Sequence, residues 1–427
     1  MDTPQEPASE GESPSARTDE IRQAAARLFE ANGYSSTTIT EIANAVGILP
    51  GSLYYHFASK EDVALDIVAD FERDAAELAS TLSADPDASN ANDARAKLTQ
   101  AAEAIAEFSA RNRAALRLTA YAAPDTATER FGRARESAAA SLSRVWKRLV
   151  EDLAPDTAAD DVQDAGLLRF ALANLTLNTS LNMTETDHPR SVAGLHVAML
   201  LDGIATDSPG DDELERSEAM VAAREVIAGW GPLEEPTEPN SRERIVASAR
   251  TEFARRGFDA TTVRDIAKAA QVRMATLYRR VNSKEELLGD ILGGYDNHFD
   301  AAVRAALTTG DSAVESLDAV LFVLVSAKRR FRLESEIVKL TNPWTAPESP
   351  ALKTYWASTG ARLRLLESAL ANGMKAGSIR PLDAPAEIGT QIRYISWVPY
   401  QDYARASPER THRFLRNSLL RGFLSPR

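Results

Sequence analysis

"GSLYYHFASKEDV" occupies residues 51–63, and "ATLYRRVNSKEEL" occupies residues 275–287, about 224 positions later. Both phrases keep a Leu-Tyr pair, a Ser-Lys-Glu triplet and the spacing between them, while the four residues in between change from Tyr-His-Phe-Ala to Arg-Arg-Val-Asn. Worked outward from this phrase, residues 18–71 align with residues 242–295 without a gap. Ile21/Ile245, Phe29/Phe253, Gly33/Gly257, Thr37/Thr261, Thr38/Thr262, Ile42/Ile266, Leu53/Leu277, Tyr54/Tyr278, Lys60/Lys284 and Glu61/Glu285 are identical pairs. An internal repeat of this kind decides the architecture before any single element is read.

The likeness reaches further than the aligned segment. "LLDGIA" at 200–205 and "LLRGFL" at 419–424 each close a long helical stretch at nearly the same offset. Ala, Leu, Glu and Arg dominate both halves, alternating strand patterns are scarce, and turn signals such as Asn32-Gly33, Gly257, Pro124, Pro155, Pro343 and Pro381 punctuate them. The expected fold is all-α, in two tandem halves. The division expected is an acidic, disordered tail at 1–17; a first helix-turn-helix head at 18–66 with a helical regulatory domain at 67–207; a helical connector and Pro/Glu linker at 208–240; and a second head at 241–290 with its regulatory domain at 291–427.

Local chemistry marks three short helices in each head. The first, near 18–31, carries Ile21, Ala25, Leu28 and Phe29 on one face and stops at Asn32-Gly33. The second opens with Thr38 and Glu41 in the spacing of a capping box, and Gly47 turns the chain into a third helix near 49–56. Ser59 with Asp62, and Ser283 with Glu286, read as caps of a fourth. Two short helices joined by a tight turn form a helix-turn-helix, whose second helix fits the width of a DNA major groove.

On these residues the chain resembles the TetR-family transcriptional regulators, each a DNA-binding head followed by a helical ligand and dimerisation domain. "TTITEIANAVGILPGSLYYHFASKE" and "TTVRDIAKAAQVRMATLYRRVNSKEEL" carry the resemblance, over about 54 residues per copy. It implies that Thr38 and Thr40, with Thr262 and Arg264, start the positioning helix beside phosphates. Ser52, Tyr54, His56 and Lys60, and Thr276, Tyr278, Arg280 and Lys284, match backbone-contacting positions. Leu49, Pro50, Gly51 and Tyr55, and Arg273, Met274, Ala275 and Arg279, fall where base edges would be read. The plainer readings are that the tyrosines only pack and the lysines only solvate a helix start. Gln271 stands where the first copy has Gly47, and Val281 where it has Phe57, so a differently shaped second turn is expected.

Charge separates the two heads. Residues 18–71 hold three basic and eight acidic side chains, whereas 242–295 hold eleven basic and seven acidic. Phosphate attraction supplies much of DNA affinity, so the second head should dominate binding. Two unlike heads suggest an asymmetric operator; the alternative is that the acidic first head has lost DNA binding and contacts another protein.

The resemblance also implies that the last two helices of each half pair with those of a partner. Segments 162–183 with 188–205, and 385–405 with 408–424, match, which suggests an internal pseudo-dimer, with a weak homodimer of chains left open. Candidate residues for a small, apolar effector are Phe108, Tyr121 and Trp146 in the first half, and Phe322, Phe331, Trp344, Tyr355 and Trp356 in the second; core packing is the alternative. The expected activity is operator binding released by that effector, as in a repressor.

Composition narrows the rest. The chain of 427 residues has no cysteine, five histidines and a net charge of −13. Disulfides and thiolate metal sites are excluded, and no His-carboxylate spacing suggests a metal or cofactor. Without a Cys nucleophile, a Gly-rich phosphate loop or a paired His, an enzyme is not expected. The absence of a long apolar run and of a signal-like N-terminus points to a cytoplasmic protein.

Overall fold

The computed structural model describes residues 14–34, 36–84, 88–120, 129–153, 159–181, 183, 188–231, 242–339, 349–400 and 406–425. In chain order the first helices are α1 (Pro14–Asn32), α2 (Ile39–Ala45), α3 (Pro50–Leu53), α4 (Lys60–Ser83), α5 (Ala91–Arg111), α6 (Arg113–Ala120) and α7 (Glu129–Ser137). They are followed by α8 (Ala140–Leu153), α9 (Ala159–Asn178), α10 (Pro189–Asp202), α11 (Asp211–Arg216), α12 (Glu218–Ala228), α13 (Arg242–Arg256), α14 (Val263–Ala269) and α15 (Met274–Arg280). The chain closes with α16 (Lys284–Thr308), α17 (Ala313–Arg330), α18 (Arg332–Lys339), α19 (Pro350–Ala376), α20 (Pro385–Trp397) and α21 (Pro408–Leu415). Among the described residues there is no β-strand, only an isolated bridge between Ala205 and Ile379. The fold is all-α.

Two compact units divide the chain: Met1–Ala84 with Arg111–Leu142, and Asp85–Ala110 with Ser143–Arg427. In the first, α1 opens at Pro14, inside the stretch expected to be a tail, because proline suits a first helical turn. Ile21, Phe29, Ile42, Leu53, Val63 and Ile67 close the small core of the head. Helix α6 packs against α1 and α4, and its Arg117 donates to the Glu30 carbonyl at the end of α1 (2.5 Å).

The second unit holds the second head, its regulatory helices and helices of the first half. Between the halves the chain forms α11 and α12, while the expected Pro/Glu linker falls outside the described residues beyond Gly231. Helix α12 is no solvated bridge: its Ala219, Met220 and Ala223 are buried in the same core as α16 and α17, and Trp230 beyond it packs at a tilt against Phe331, ring centres 5.1 Å apart. Helix α11 is tied in by charge. Arg416 bonds Asp318 of α17 (2.9 and 2.7 Å) and Glu215 of α11 (2.7 Å), and His412 bonds Asp318 (3.0 Å). Burial pushes the Asp318 carboxyl up, but His412 and Arg416 outweigh it and hold it below the usual range.

The two "LLxG" endings meet in this unit. Ile204 and Ala205 donate to the carbonyls of Leu419 and Leu420 (both 2.9 Å), while Phe423 and Leu424 donate to those of Leu200 and Leu201 (3.0 and 3.1 Å). The exchange is reciprocal. Gly203 and Gly422 (φ +74° and +102°) lie at the crossing, where a Cβ on either would sit 2.3–2.4 Å from the other segment's backbone. Only glycine fits such an approach. Polar side-chain contacts join the same halves, among them Arg410 to Asp164 (2.7 Å), His196 to Gln391 (2.7 Å) and Arg380 to the Ala205 carbonyl (3.0 Å). Burial pulls the His196 pKa down to about 4, more than the Gln391 oxygen raises it.

Candidate nucleic-acid interface

Each head builds its surface from the same backbone devices. Thr38 caps α2: its hydroxyl accepts from the Glu41 amide (3.2 Å), and the Glu41 carboxylate accepts the Thr38 amide (2.7 Å). Thr262 and Asp265 repeat the box on α14 (3.2 and 2.9 Å). The amide of Thr38 lowers the Glu41 carboxyl, and the hydroxyl of Thr262 lowers that of Asp265. Ser59 and Ser283 cap α4 and α16, as their sequence spacing suggests.

The second turn is not differently shaped. Gln271 takes φ +57°, beside +70° at Gly47, and the flanking bonds match: Val272 to Ala267 and Ile48 to Ala43, both 3.0 Å. The helix-turn-helix geometry therefore imposes left-handed backbone on Gln271, a conformation that costs a side-chain-bearing residue about 1–2 kcal/mol. Val281 and Phe57 are both buried and plug the same place in the two cores.

On the outward surface, Thr38, Thr40, Gly51 and Ser52 are exposed in the first head, with Pro50 and His56 half-buried. Leu49 is 75% and Tyr55 92% exposed, an unusual display for apolar groups. Thr262, Arg264, Arg273, Ala275, Arg279 and Arg280 are exposed in the second head, with Met274 and Thr276 half-buried. Tyr54 and Tyr278 are 55% and 57% exposed, so packing alone does not account for them. His56 spans back to α1, its Nδ1 3.0 Å from the Thr18 hydroxyl.

Lys60 and Lys284 do more than solvate a helix start. The Lys60 ammonium donates to the carbonyls of Tyr34 (2.7 Å) and Thr37 (2.8 Å) and lies 4.3 Å from the Tyr34 ring centre. Lys284 donates to Phe258 (2.7 Å) and Thr261 (3.0 Å), 4.2 Å from the Phe258 ring. Each lysine ties the loop before the second helix to the start of the fourth. Burial lowers both ammonium pKa values, with Glu41 opposing it for Lys60 and Asp259 for Lys284. The aligned aromatics Tyr34 and Phe258, 26 residues before each lysine, were the sequence signal for this lock.

Ion pairing sharpens the charge contrast. Arg22 of the first head is spent on Asp19, Asp66 and Asp70. In the second head Arg242 pairs with Glu286 and Asp290, and Arg255 and Arg256 with Glu252. Among the described residues, Arg264, Arg273, Arg279 and Arg280 have no carboxylate within ion-pair distance. These four free cations lie on the positioning and recognition helices or at their starts.

The effector candidates scatter. Phe108, Trp146 and Phe331 are buried core residues, and Phe322 packs edge-on against His412. Tyr355 lines a cavity and Trp356 lies beside it. Tyr121 and Trp344 fall outside the described residues. Arg362, Arg393 and Trp397, also at the cavity, were missed because a lone arginine on a helix carries no pattern.

A family signature described as "Bacterial regulatory proteins, tetR family" matches residues 21–67 and again 245–291. The HTH-type transcriptional repressor KstR2 of Mycolicibacterium smegmatis is 46% identical over 70 residues, 16% of this chain and 31% of that protein. The HTH-type transcriptional regulator TcmR of Streptomyces glaucescens is 49% identical over 47 residues, 11% of this chain and 21% of its own. This chain thus spans about a third or less of the length of these curated relatives. A solved structure, the ketosteroid transcriptional regulator KstR2 of Mycobacterium tuberculosis, aligns at 23% identity and a TM-score of 0.37, over 42% of this chain and 90% of that one. No described helix is long and apolar enough to cross a membrane. The signature is present at both of the segments that form helix-turn-helix heads, so each head matches the tetR family of bacterial regulatory proteins, twice in one chain.

Proposed function

We propose that the protein is a DNA-binding transcriptional regulator, a repressor whose two unlike heads engage an asymmetric operator. The observation that carries this reading is the set of unpaired arginines on the second head, Arg264, Arg273, Arg279 and Arg280, framed by the exposed hydroxyls of Thr262 and Tyr278. Cations supply affinity through phosphates, and Arg273 at the start of the recognition helix suits the O6 and N7 acceptors of guanine. The first head contributes Leu49, Tyr55 and hydroxyl contacts instead.

The reciprocal bonds between residues 200–205 and 419–424 support an internal pseudo-dimer in which one chain supplies both halves. A small apolar effector in the regulatory helices would weaken operator binding by linkage, typically by 1–3 kcal/mol. Helix α16 provides the route: it starts on the lysine lock at Lys284 and contributes Phe299 to a cavity wall about 22 Å further along.

The test is selection of bound sequences from random duplex DNA by the full chain, followed by anisotropy titration of the winner and light scattering. Enrichment of an asymmetric site bound by a single chain is expected. Failure to enrich any sequence sinks the regulator reading, and an obligate oligomer that does not dissociate on dilution sinks the pseudo-dimer. A symmetric site read by two second heads would favour a protein-contacting role for the first.

A further inference from the structure

The two recognition segments differ in what they can offer a base. Residues 49–57 hold no Arg, Lys, Asn, Gln, Asp or Glu, whereas residues 273–281 hold Arg273, Arg279 and Arg280. Those six residue types make the hydrogen bonds that tell base pairs apart: Arg or Lys on guanine, Asn or Gln on adenine, Asp or Glu on the cytosine amine. Hydroxyls such as those of Ser52 and Tyr54 donate and accept alike, so they discriminate little. His56 has its Nδ1 on the Thr18 hydroxyl (3.0 Å). What the first head displays instead is apolar, with Leu49 75% and Tyr55 92% exposed.

Gly51, between them in the chain, is a second observation. It is exposed, a Cβ there would meet nothing within 4 Å, and the second head has Ala275 at this place. The fold therefore does not require glycine, although glycine weakens a helix relative to alanine. Its bareness serves the outward face, where it lets the start of α3 approach another surface closely. The acidic side chains of this head are committed elsewhere. Asp19, Asp66 and Asp70 hold Arg22, Glu20 holds Arg17 and Glu30 holds Arg113. Glu41 closes the cap of α2, and Asp62 bonds the Ser59 hydroxyl at the cap of α4. The negative count of the head thus does not lie on its recognition segment.

We propose that the first head reads its half-site through the 5-methyl groups of thymine, which Leu49 and the Tyr55 ring contact in the major groove. That methyl is the apolar feature of the base edges there, and apolar side chains are what read it. The two ends of the operator then differ in kind: a thymine-bearing half-site lies under the first head and a guanine-bearing one under the second. Taking a methyl group out of water needs no charge, which suits a segment that keeps the whole scaffold and carries no cation. This deepens the operator reading given above and rests on it.

The test uses the full chain and the duplex it selects from random DNA. Because the chain has no cysteine, an iron chelate on Ser36→Cys, at an exposed position before α2, cuts DNA at the half-site of the first head and identifies it. Each thymine there is then replaced by uracil, which removes only the methyl group. At least one replacement should weaken binding about fourfold, the worth of one buried methyl, at an unchanged salt slope. Uracil in the other half-site should change affinity by less than about twofold. In Leu49→Ala with Tyr55→Ala, both at exposed positions outside the core, thymine and uracil duplexes should bind alike. Arg279→Ala should bind more weakly overall and keep the whole uracil penalty. Equal affinity for thymine and uracil throughout the first half-site overturns the proposal, as does an equal penalty in both half-sites or a penalty undiminished in the folded double variant. So does a bound complex in which Ser36→Cys cuts nothing: the first head is then off the DNA, and Leu49 and Tyr55 face a protein partner. Selection of no duplex at all sinks the regulator reading and this one together. An asymmetric site that is cut from Ser36→Cys but indifferent to uracil sinks this one alone.

Discussion

The two heads have the same skeleton and opposite surfaces. Capping boxes at Thr38 and Thr262, left-handed turns at Gly47 and Gln271, buried plugs at Phe57 and Val281, and lysine locks at Lys60 and Lys284 coincide position by position. The outward residues diverge at the same positions: Leu49 against Arg273, Tyr55 against Arg279, His56 against Arg280. Interior and cap positions are dictated by backbone hydrogen bonding and packing, which any helix-turn-helix must satisfy. Surface positions answer to whatever the head touches. On the function proposed above, the difference between the heads is one of partner chemistry on a constant scaffold.

The largest effect should come from removing charge at the second head. Arg279→Ala with Arg280→Ala is expected to lower the salt slope of operator binding by about 0.9 through the phosphate contact of Arg280, rising to about 1.8 if Arg279 also touches phosphate, and to weaken binding by about 3 kcal/mol. Tyr55→Ala removes the counterpart of Arg279 and should leave the slope unchanged. Anisotropy titrations over a salt series read both quantities. Equal slope changes at the two heads would break the comparison, because the first would then be drawing on charge that its own residues do not supply.

Lys60→Met and Lys284→Met come next, and here the heads should behave alike. Each substitution leaves two loop carbonyls without their charged donor, at a cost of about 1–3 kcal/mol of local stability. Hydrogen exchange at α2 and α14 is the readout. A loss of DNA affinity without faster exchange would return the lysines to a simple phosphate-contacting role.

Arg273→Leu gives the second head the residue of the first. It should lose about 1–3 kcal/mol of discrimination at one base position and about 0.9 of salt slope if the side chain also touches phosphate. Leu49→Arg is the reciprocal change. Unchanged base preference in Arg273→Leu would show that this arginine does not read sequence.

The record of what the sequence discloses follows the same division. The caps and the three-helix heads are legible because Thr38 with Glu41 and Asn32-Gly33 are local signals with one structural solution. The fate of the connector was not: Met220 and Trp230 look like any apolar residues on an acidic helix, and only the second core that receives them makes them structural. The lysines were read for charge alone, because the carbonyls that hold them lie 23–26 residues away. Arg393 was invisible for a related reason. What sets it apart is that no carboxylate among the described residues pairs with it, and a sequence does not display absences.

The smallest effect tests the scaffold itself. Gln271 holds φ +57°, and the left-handed region costs a residue with a Cβ about 1–2 kcal/mol, so Gln271→Gly should relieve strain. Against this stand the greater freedom that glycine gains in the unfolded chain, about 0.5–1 kcal/mol, and the loss of an exposed hydrogen bond from Arg244 (3.0 Å), worth little in water. The net expectation is a gain of about 0.5 kcal/mol. At the matching position Gly47→Ala should cost about 1 kcal/mol, and for the backbone alone, since a Cβ there would meet nothing within 4 Å. Hydrogen exchange of the amides of Ile48 and Val272, which close the two turns, measures each change locally and avoids assuming that a two-unit chain unfolds in one step. Slower exchange in Gln271→Gly with faster exchange in Gly47→Ala would show one turn device in both heads, leaving surface chemistry as the whole of their difference. Faster exchange in Gln271→Gly would mean that the Gln271–Arg244 pair holds the second turn, and the two heads would then differ in construction as well as in what they touch.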